Sequence, residues 1–279
     1  MSKPSIVYQT DFSLDGGSVS TMRGVSMQID PTLDISDITH TIEPFNILQA
    51  SSSLMYVEPY WPKGTIFVSV VDPGVGTERK ASVALLKDGN YVVTPDNGTL
   101  THLAHTVGIA EIREIDEKHR YKGTEAVNVF HGRDLFAYIA AKMAAGVVSY
   151  EEVGPSYPVS EVVILEDLMY GKAKPGEAWG VIVAAWKHFG NIVTNIRFSD
   201  FAQAGFKHGD ILDVEIKHDE DVIFHQKVLY HKSFGFVKKG EPIVFNGSSF
   251  TIALALNQGN FMEKYHIRSG ADWKITFRG

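Results

Sequence analysis

A buried strand that breaks into a glycine-rich turn constrains the fold more than any other feature of this chain. Residues 65–71 form an apolar run rich in β-branched side chains, which is typical of a strand covered on both faces. The run stops at Asp72, and Pro73, Gly74 and Gly76 predict a tight turn whose backbone a ligand could approach. Since ligand sites in open α/β sheets gather at the carboxyl ends of strands, this turn is a candidate site.

Arg79 lies on the far side of the same turn, close enough in sequence to fold back onto the carboxylate of Asp72. Such a pair is part of a ligand site or, equally, an ordinary turn with a surface salt bridge. These residues alone leave both interpretations open.

The first part of the chain alternates between strand and helix patterns. Strands are predicted at residues 5–10, 34–38, 65–71, 81–86, 91–94 and 110–115, and helices from residue 18 and at 46–55, 100–107 and 135–146. The strands at 81–86 and 91–94 are separated only by a short polar turn. We therefore expect an α/β N-terminal domain, residues 1–168, with a central, mostly parallel sheet flanked by helices.

The pattern changes after a loop-like segment, residues 169–177, that we interpret as a linker. Strands are predicted at residues 179–185, 211–216, 222–229, 250–256 and 273–277, with polar turns between them and few helices. We expect a smaller all-β C-terminal domain, residues 178–279, with an antiparallel, barrel-like sheet.

Charge and cysteine content exclude several classes of function. The net charge of −7 over 279 residues leaves no basic excess for binding nucleic-acid phosphates. The absence of cysteine excludes disulfides, thiolate catalysis and cysteine-ligated metal sites. No signal peptide and no apolar run of membrane-spanning length is visible, so we expect a soluble, cytoplasmic protein without a membrane partner.

Two further polar residues occupy positions suited to ligand binding. Asp11 follows the first predicted strand, where an aspartate either receives sugar hydroxyls or caps the next helix. His131 lies on a loop beside Gly132, just before the helix predicted at residues 135–146. The chain has 11 histidines, so a structural or exposed role for His131 stays open as well.

Five short motifs, taken together, resemble one family. Each is weak alone, but their order and spacing cover nearly the whole chain. They are Thr10-Asp11-Phe12, Val71-Asp72-Pro73-Gly74-Val75-Gly76-Thr77, Pro95-Asp96-Asn97-Gly98, Phe130-His131-Gly132-Arg133-Asp134 and Phe189-Gly190-Asn191-Ile192-Val193-Thr194-Asn195-Ile196. In these motifs the chain is similar to the S-adenosylmethionine hydroxide adenosyltransferases, the hydrolase relatives of the fluorinases and chlorinases.

The resemblance implies hydrolysis of S-adenosylmethionine to adenosine and methionine, with water or hydroxide attacking the ribose C5′ carbon. The aspartate, arginine and histidine that hold this nucleophile in the family match Asp72, Arg79 and His131. The resemblance also implies a homotrimer with active sites between subunits. Neither a metal nor a cofactor is expected, because S-adenosylmethionine is itself the substrate.

The chemistry of these residues is consistent with that reaction. A sulfonium leaves as a neutral thioether and needs no general acid, so the reaction depends on an aligned oxygen nucleophile. Asp72 or His131 can accept the water proton, and Arg79 can stabilise hydroxide-like charge. A carboxylate at position 72 is also expected to repel a halide by a few kcal/mol at an effective dielectric of about 20, which favours hydrolysis over halogenation.

Substrate contacts are also implied by the resemblance. Asp11 matches an aspartate that holds the ribose hydroxyls, Phe45 an aromatic wall, and Asn191 an asparagine that contacts the nucleoside. Phe234 matches an aromatic residue that stacks on adenine, and Ser248 a residue near the methionine carboxylate. For Phe45, Phe234 and Ser248, core packing or a turn hydroxyl is an alternative explanation.

Two departures from the family pattern concern the methionine end of the substrate. Lys187 lies in the segment where relatives carry an acidic residue for the methionine ammonium, and Asp15 is shifted by one position in the first loop. Two other functions therefore stay open: a non-catalytic protein that binds adenosine or S-adenosylmethionine, and an adenosyl enzyme for a different sulfonium or 5′-substituted nucleoside. Lys187 would suit a substrate with an extra anionic group.

Overall fold

The computed structural model describes residues 3–279 and divides the chain into two compact units. The first unit ends at Ile164, and the second is Leu165–Gly279. Each unit has its own apolar core, so each is described by itself below.

The first unit alternates strands with helices. Its strands are β1 (Ile6–Thr10), β2 (Ile35–Thr39), β3 (Ile66–Val70), β4 (Ala81–Leu86), β5 (Tyr91–Pro95) and β6 (Ile109–Glu114). Its α-helices are α1 (Ser18–Ile29), α2 (Ile47–Val57), α3 (Thr101–Thr106) and α4 (Tyr138–Ala144), and six π-helical residues, Gly132–Ala137, run directly into α4. Within residues 3–279 no helix has both the length and the apolar character needed to cross a bilayer.

The six strands form one sheet in the order β2-β1-β3-β5-β4-β6. The first three neighbouring pairs are parallel, whereas β4 is antiparallel to both β5 and β6. The sheet is thus mixed, where the sequence predicted a mostly parallel one. The turn at residues 87–90 is the reason, because a connection this short joins only antiparallel strands.

Helices cover both faces of this sheet. Alternate residues of β1 point to opposite faces: Tyr8 packs in the core that contains α1 and α4, and Val7 in the core that contains α2 and α3. Every residue of β1 and β3 is buried. This explains why residues 65–71 are mainly apolar, since a strand covered on both faces has no side that needs polar residues.

The topology brings the carboxyl ends of β1, β3 and β5 to one edge of the sheet. Asp11, Asp72 and Asp96 follow these three parallel strands, and Thr10 is paired with Val70 between β1 and β3. Strand order reverses between β1 and β3, since β2 lies on one side of β1 and β3 on the other. Crevices at such switch points are where open α/β sheets bind ligands.

The second unit is a closed barrel. Its strands are β7 (Lys172–Lys174), β8 (Glu177–Trp186), β9 (Asn191–Arg197), β10 (Ile211–His218), β11 (Asp221–Tyr230), β12 (Pro242–Asn246), β13 (Thr251–Leu256) and β14 (Gly270–Arg278). The short helices are α5 (Glu166–Met169), α6 (Phe198–Ala204) and α7 (Phe261–Tyr265). Pairing of β14 with β8 closes a ring of seven strands, and β7 extends it beside β8.

The predicted fold class is confirmed in both parts of the chain: an α/β first part and a barrel in the second. All neighbouring pairs in the closed ring are antiparallel except β11 with β12. The segment interpreted as a linker, residues 169–177, contains β7.

Two loops at the carboxyl edge of the first sheet pack closely on each other. Gly76, in the loop between β3 and β4, has φ of +77°, and a Cβ there would lie 2.7 Å from the carbonyl oxygen of Asn128. Gly132, at the start of the π-helical turn, is similarly close to the end of β3: a Cβ would lie 3.3 Å from Val70 Cγ1. Gly76 therefore lets the two loops approach each other, and Gly132 lets the π-helical turn approach the end of β3.

A buried acid lies beneath the opposite end of the sheet. Glu58, which follows α2, accepts a 2.6 Å hydrogen bond from Asn90 Nδ2, and Asn90 Oδ1 accepts one from the backbone N–H of Thr65 just before β3. Burial raises the pKa of Glu58 from its ordinary value of 4.5 to about 7, and the neighbouring Asp88 carboxyl adds to the rise. Glu58 therefore keeps its proton in the folded protein at mildly acidic pH and releases it only as the pH passes about 7.

We expect the stability of the first unit to fall as the pH rises from about 4.5 to about 7. In that window the folded state retains the Glu58 proton that the unfolded chain releases, so raising the pH favours unfolding, by roughly 1 to 3 kcal/mol. The free energy of unfolding of Glu58→Gln, measured with urea between pH 5 and 8, should depend less on pH than that of the parent. Glu151→Gln, which changes an exposed carboxyl in the same unit, should keep the parent's dependence; equal slopes in all three proteins would contradict this role for Glu58.

We expect Gly76→Ala to destabilise the protein by about 2 to 4 kcal/mol, because it adds a left-handed backbone penalty to a clash with the Asn128 carbonyl. Gly64→Ala is the matched control: Gly64 has φ of +92°, but a methyl group there would meet open space, so only the backbone penalty of about 1 to 2 kcal/mol applies. The midpoints of urea unfolding measure the loss of stability in both variants. Equal losses would show that the contact between the loops contributes nothing.

Candidate active site

The core of the candidate site is an ion pair between Asp72 and Arg79. Arg79 Nε donates to both carboxylate oxygens of Asp72 at 3.0 Å, and Nη2 of the same guanidinium also bonds Oδ2. The side chains are only 5% and 10% exposed, respectively. The guanidinium carbon lies 5.4 Å from the ring centroid of Phe136, which shields it further. The turn after β3 thus folds an arginine back onto the aspartate at the strand end.

His131 completes a contiguous group with this pair. Its Nδ1 atom lies 2.9 Å from Arg79 Nη2, so one guanidinium bridges the carboxylate and the imidazole. The residue directly precedes the π-helical turn, and Gly132 lets that turn approach Phe12 and Val70 at the sheet edge. A π-helical segment of this kind is often found at functional sites.

A second arginine, which the sequence did not indicate, faces the other side of the imidazole. Nη2 of Arg120 lies 3.3 Å from Nε2 of His131. Burial lowers the pKa of His131, and the positive charges of Arg79 and Arg120 lower it further, while Glu117 and Asp72 act in the opposite direction. His131 is therefore mainly neutral at neutral pH.

Asp11 lies at the end of β1, next to the strand that leads to Asp72. Its Oδ2 accepts a 2.9 Å hydrogen bond from the backbone N–H of Phe45. Burial raises the pKa of Asp11, and the negative charge of Asp72 also raises it. Phe45 has φ of +67° and is 69% exposed, an unusual combination for a large aromatic residue that is typical of functional sites.

Two polar residues fix the loops that carry these aspartates. Asn97 Nδ2 donates to the carbonyl of Val71, immediately before Asp72, at 2.9 Å. Thr10 Oγ1 accepts a 3.1 Å bond from the N–H of Phe12 and lies 2.9 Å from Nδ1 of the buried His40. The Pro95-Asp96-Asn97-Gly98 motif could have pointed to Asn97, but nothing in the sequence pattern pointed to His40.

The remaining candidates lie in the second unit. Asn191 is the first residue of β9, and Ser248 lies in the exposed turn between β12 and β13. The register pairs Ile192 with Leu254 and Arg197 with Thr251, so Asn191 and Ser248 flank opposite ends of the β9–β13 pair. Phe234 stands apart in a single-turn helix, with its ring 4.8 Å from that of Phe245.

The two departures at the methionine end are both exposed. Asp15 lies in the turn that precedes α1, where the Ser13 hydroxyl donates to its Oδ2 at 2.9 Å. Lys187 lies in the turn between β8 and β9, and its carbonyl accepts a bond from Asn260 Nδ2 at 3.0 Å. These contacts are local turn contacts, and they leave both charged side chains at the surface.

The group of Asp72, Arg79 and His131 can orient a small polar molecule. It offers carboxylate oxygens that accept hydrogen bonds beside a guanidinium that donates them. Across residues 3–279, no cluster of three or more histidine, aspartate or glutamate side chains has an arrangement that could hold a metal ion.

Comparison with known proteins adds independent information. Residues 6–154 match the family model of the SAM hydroxide adenosyltransferase N-terminal domain, and residues 181–274 match that of the C-terminal domain. An (R)-S-adenosyl-L-methionine hydrolase from Methanocaldococcus jannaschii is 32% identical over 249 residues, which cover 88% of this chain and 86% of the relative. A fluorinase from Actinopolyspora mzabensis is 24% identical over 303 aligned positions, covering 99% and 98%.

The fold has a counterpart of similar extent among solved structures. An uncharacterized conserved protein from Thermotoga maritima is similar with a TM-score of 0.84 and 32% identity, covering 98% of this chain and 100% of that one. The two family models together span most of the chain, in the order of its two units. The chain therefore belongs to the SAM hydroxide adenosyltransferase family.

Proposed function

We propose that the protein hydrolyses S-adenosyl-L-methionine to adenosine and L-methionine. The observation that carries this proposal is the contiguous group in which Arg79 joins Asp72 to His131 at the carboxyl edge of the sheet. The names of relatives, among them the (R)-S-adenosyl-L-methionine hydrolase that is 32% identical, support the same activity.

The reaction is a displacement at the ribose C5′ carbon. A water oxygen forms a bond to C5′ while the bond from C5′ to the sulfonium sulfur breaks, and methionine leaves as a neutral thioether. One water proton is released, and either Asp72 or His131 accepts it. Arg79 stabilises the negative charge that develops on the attacking oxygen. Because charge is cancelled between hydroxide and sulfonium, a site with little water favours the transition state.

Substrate binding is assigned to residues of both units. We propose that Asp11 receives the ribose hydroxyls, with Phe45 as an aromatic wall beside it; the bond from the Phe45 N–H to Asp11 supports a joint role. In the second unit, Asn191 contacts the nucleoside, Phe234 stacks on adenine, and Ser248 lies near the methionine carboxylate.

Three finer points belong to the same proposal. We infer a homotrimer with active sites shared between subunits, a cytoplasmic location, and catalysis without a metal or cofactor. The family resemblance supports the trimer, which light scattering would test. Cell fractionation would test the location, and unchanged turnover after dialysis against a chelator would support metal-independent catalysis.

We expect purified protein to release adenosine from S-adenosylmethionine, as measured by chromatography of timed incubations. Asp72→Ala and His131→Ala should each lose roughly 100-fold or more in kcat, because each removes a group that holds or activates the nucleophile. Each sulfur epimer is supplied separately, since the relative's name specifies the (R) form. Fluoride or chloride added to the wild type should give no halogenated nucleoside.

Two substitutions outside the site serve as matched controls. Asp34→Ala and His218→Ala remove an aspartate and a histidine that pair elsewhere, with Ser5 and Asp272, and both should keep parental turnover. Ligand binding by calorimetry without any adenosine would instead support a non-catalytic binding protein. Turnover of another sulfonium or 5′-substituted nucleoside in preference to S-adenosylmethionine would support the related adenosyl enzyme.

A further inference from the structure

His131 lies between two guanidinium groups. Arg79 Nη2 is 2.9 Å from its Nδ1, and Arg120 Nη2 is 3.3 Å from its Nε2. A guanidinium only donates hydrogen bonds and stays charged at any pH at which the protein is folded. Both nitrogens of the imidazole therefore face donors.

This arrangement discriminates between the protonation states of the ring. Neutral imidazole has one N–H and one lone pair, so it can accept a hydrogen bond from one of the two arginines. Imidazolium would direct an N–H at both arginines and add a third positive charge to the cluster. The geometry thus penalises the cation twice.

We propose that Arg120 is a positioning residue for hydrolysis, which together with Arg79 holds His131 as a neutral imidazole. This inference rests on the proposed function, because it concerns the same site. It assigns a purpose to a residue that no motif singled out. A neutral ring leaves the arginine charges available to the attacking oxygen, and it keeps the site active at mildly acidic pH.

Arg120 is held firmly enough for this role. Its Nε donates to Glu117 Oε2 at 2.6 Å and its Nη2 to Glu117 Oε1 at 2.9 Å, while Nη1 donates to the carbonyl of Val127 at 3.2 Å. Its side chain is 9% exposed. Because all three guanidinium nitrogens donate hydrogen bonds, the group cannot rotate away from the ring without breaking these bonds.

The charged groups around His131 have opposite effects on the protonation of its ring. Arg79 and Arg120 favour the neutral ring, whereas Glu117 and Asp72 favour the cation. Glu117 both anchors Arg120 and partly cancels its charge. Removing Arg120 leaves Glu117 unpaired, so both effects of that substitution raise the pKa of His131.

The test is an NMR titration of the histidine rings in ¹⁵N-labelled protein without substrate. His131 is assigned by the signal that disappears in His131→Ala. We expect its titration midpoint to rise by roughly one pH unit or more in Arg120→Met, because a buried positive charge next to the ring is lost. Arg120→Lys keeps the positive charge but loses the planar guanidinium, so the midpoint should rise less. This variant replaces Arg120→Met in the test if Arg120→Met does not fold.

Lys118→Met is the matched control. It removes a cation from the single-turn helix Glu117–His119, which directly precedes Arg120, but Lys118 pairs with Asp116 and is not among the charged groups that act on His131. The titration midpoint of His131 in Lys118→Met should equal that in the parent protein. An unchanged midpoint in both Arg120 variants would overturn the proposal, as would a rise of the same size in Lys118→Met.

A pH–rate profile links the titration to catalysis. The acid limb of kcat/KM should move to higher pH in Arg120→Met by the same amount as the NMR midpoint, with activity largely restored at alkaline pH. A loss of activity that is equal at every pH would show a purely structural role and overturn the proposal. The NMR titration needs no turnover, so it decides the role of Arg120 even if the protein fails to hydrolyse S-adenosylmethionine.

Discussion

The ion pair between Asp72 and Arg79 is the interaction on which the site depends. Removing two charges from water costs several kcal/mol per ion, and only close geometry with further hydrogen bonds offsets that cost. Here the guanidinium binds both carboxylate oxygens, and its remaining contacts go to His131 and the face of Phe136. Breaking the pair would leave one buried charge uncompensated. The pair therefore fixes the turn after β3 and, through Arg79, the position of the imidazole.

The scaffold keeps this group together by contacts between segments that are distant in sequence. Gly76 admits the carbonyl of Asn128, Gly132 admits Phe12 and Val70, and Asn97 holds the carbonyl that precedes Asp72. None of these contacts involves the reacting groups directly. They nevertheless set the distances at the site, because a shift of either loop would move Asp72 relative to His131.

The sequence predicted the two-part fold and the residues that meet in the first unit, but not how they are supported. The apolar run that ends at Asp72 and the glycines that follow it are local patterns, so they predict a strand and a turn from the sequence alone. The lateral order of the strands and the contact of Arg120 with His131 depend on tertiary packing, and no periodicity encodes them. Arg120 also lies outside all five motifs. The predicted helix at residues 135–146 covers only the second half of the π-helical turn Gly132–Ala137.

The paired geometry also changes the reason for preferring water to halide. An isolated carboxylate at position 72 would repel an anion, but Arg79 neutralises it, so repulsion is weaker than the sequence suggested. The difference in hydrogen bonding between water and a halide then becomes the stronger reason. The Nε and Nη2 atoms of Arg79 already bond Asp72 and His131, whereas the carboxylate oxygens can accept additional bonds. Water can donate to the carboxylate and accept from an N–H, while a halide can only accept. Because the carboxylate of Asp72 can accept a bond only from a donor, we expect the group to favour water over the fluoride that its fluorinase relatives are named for.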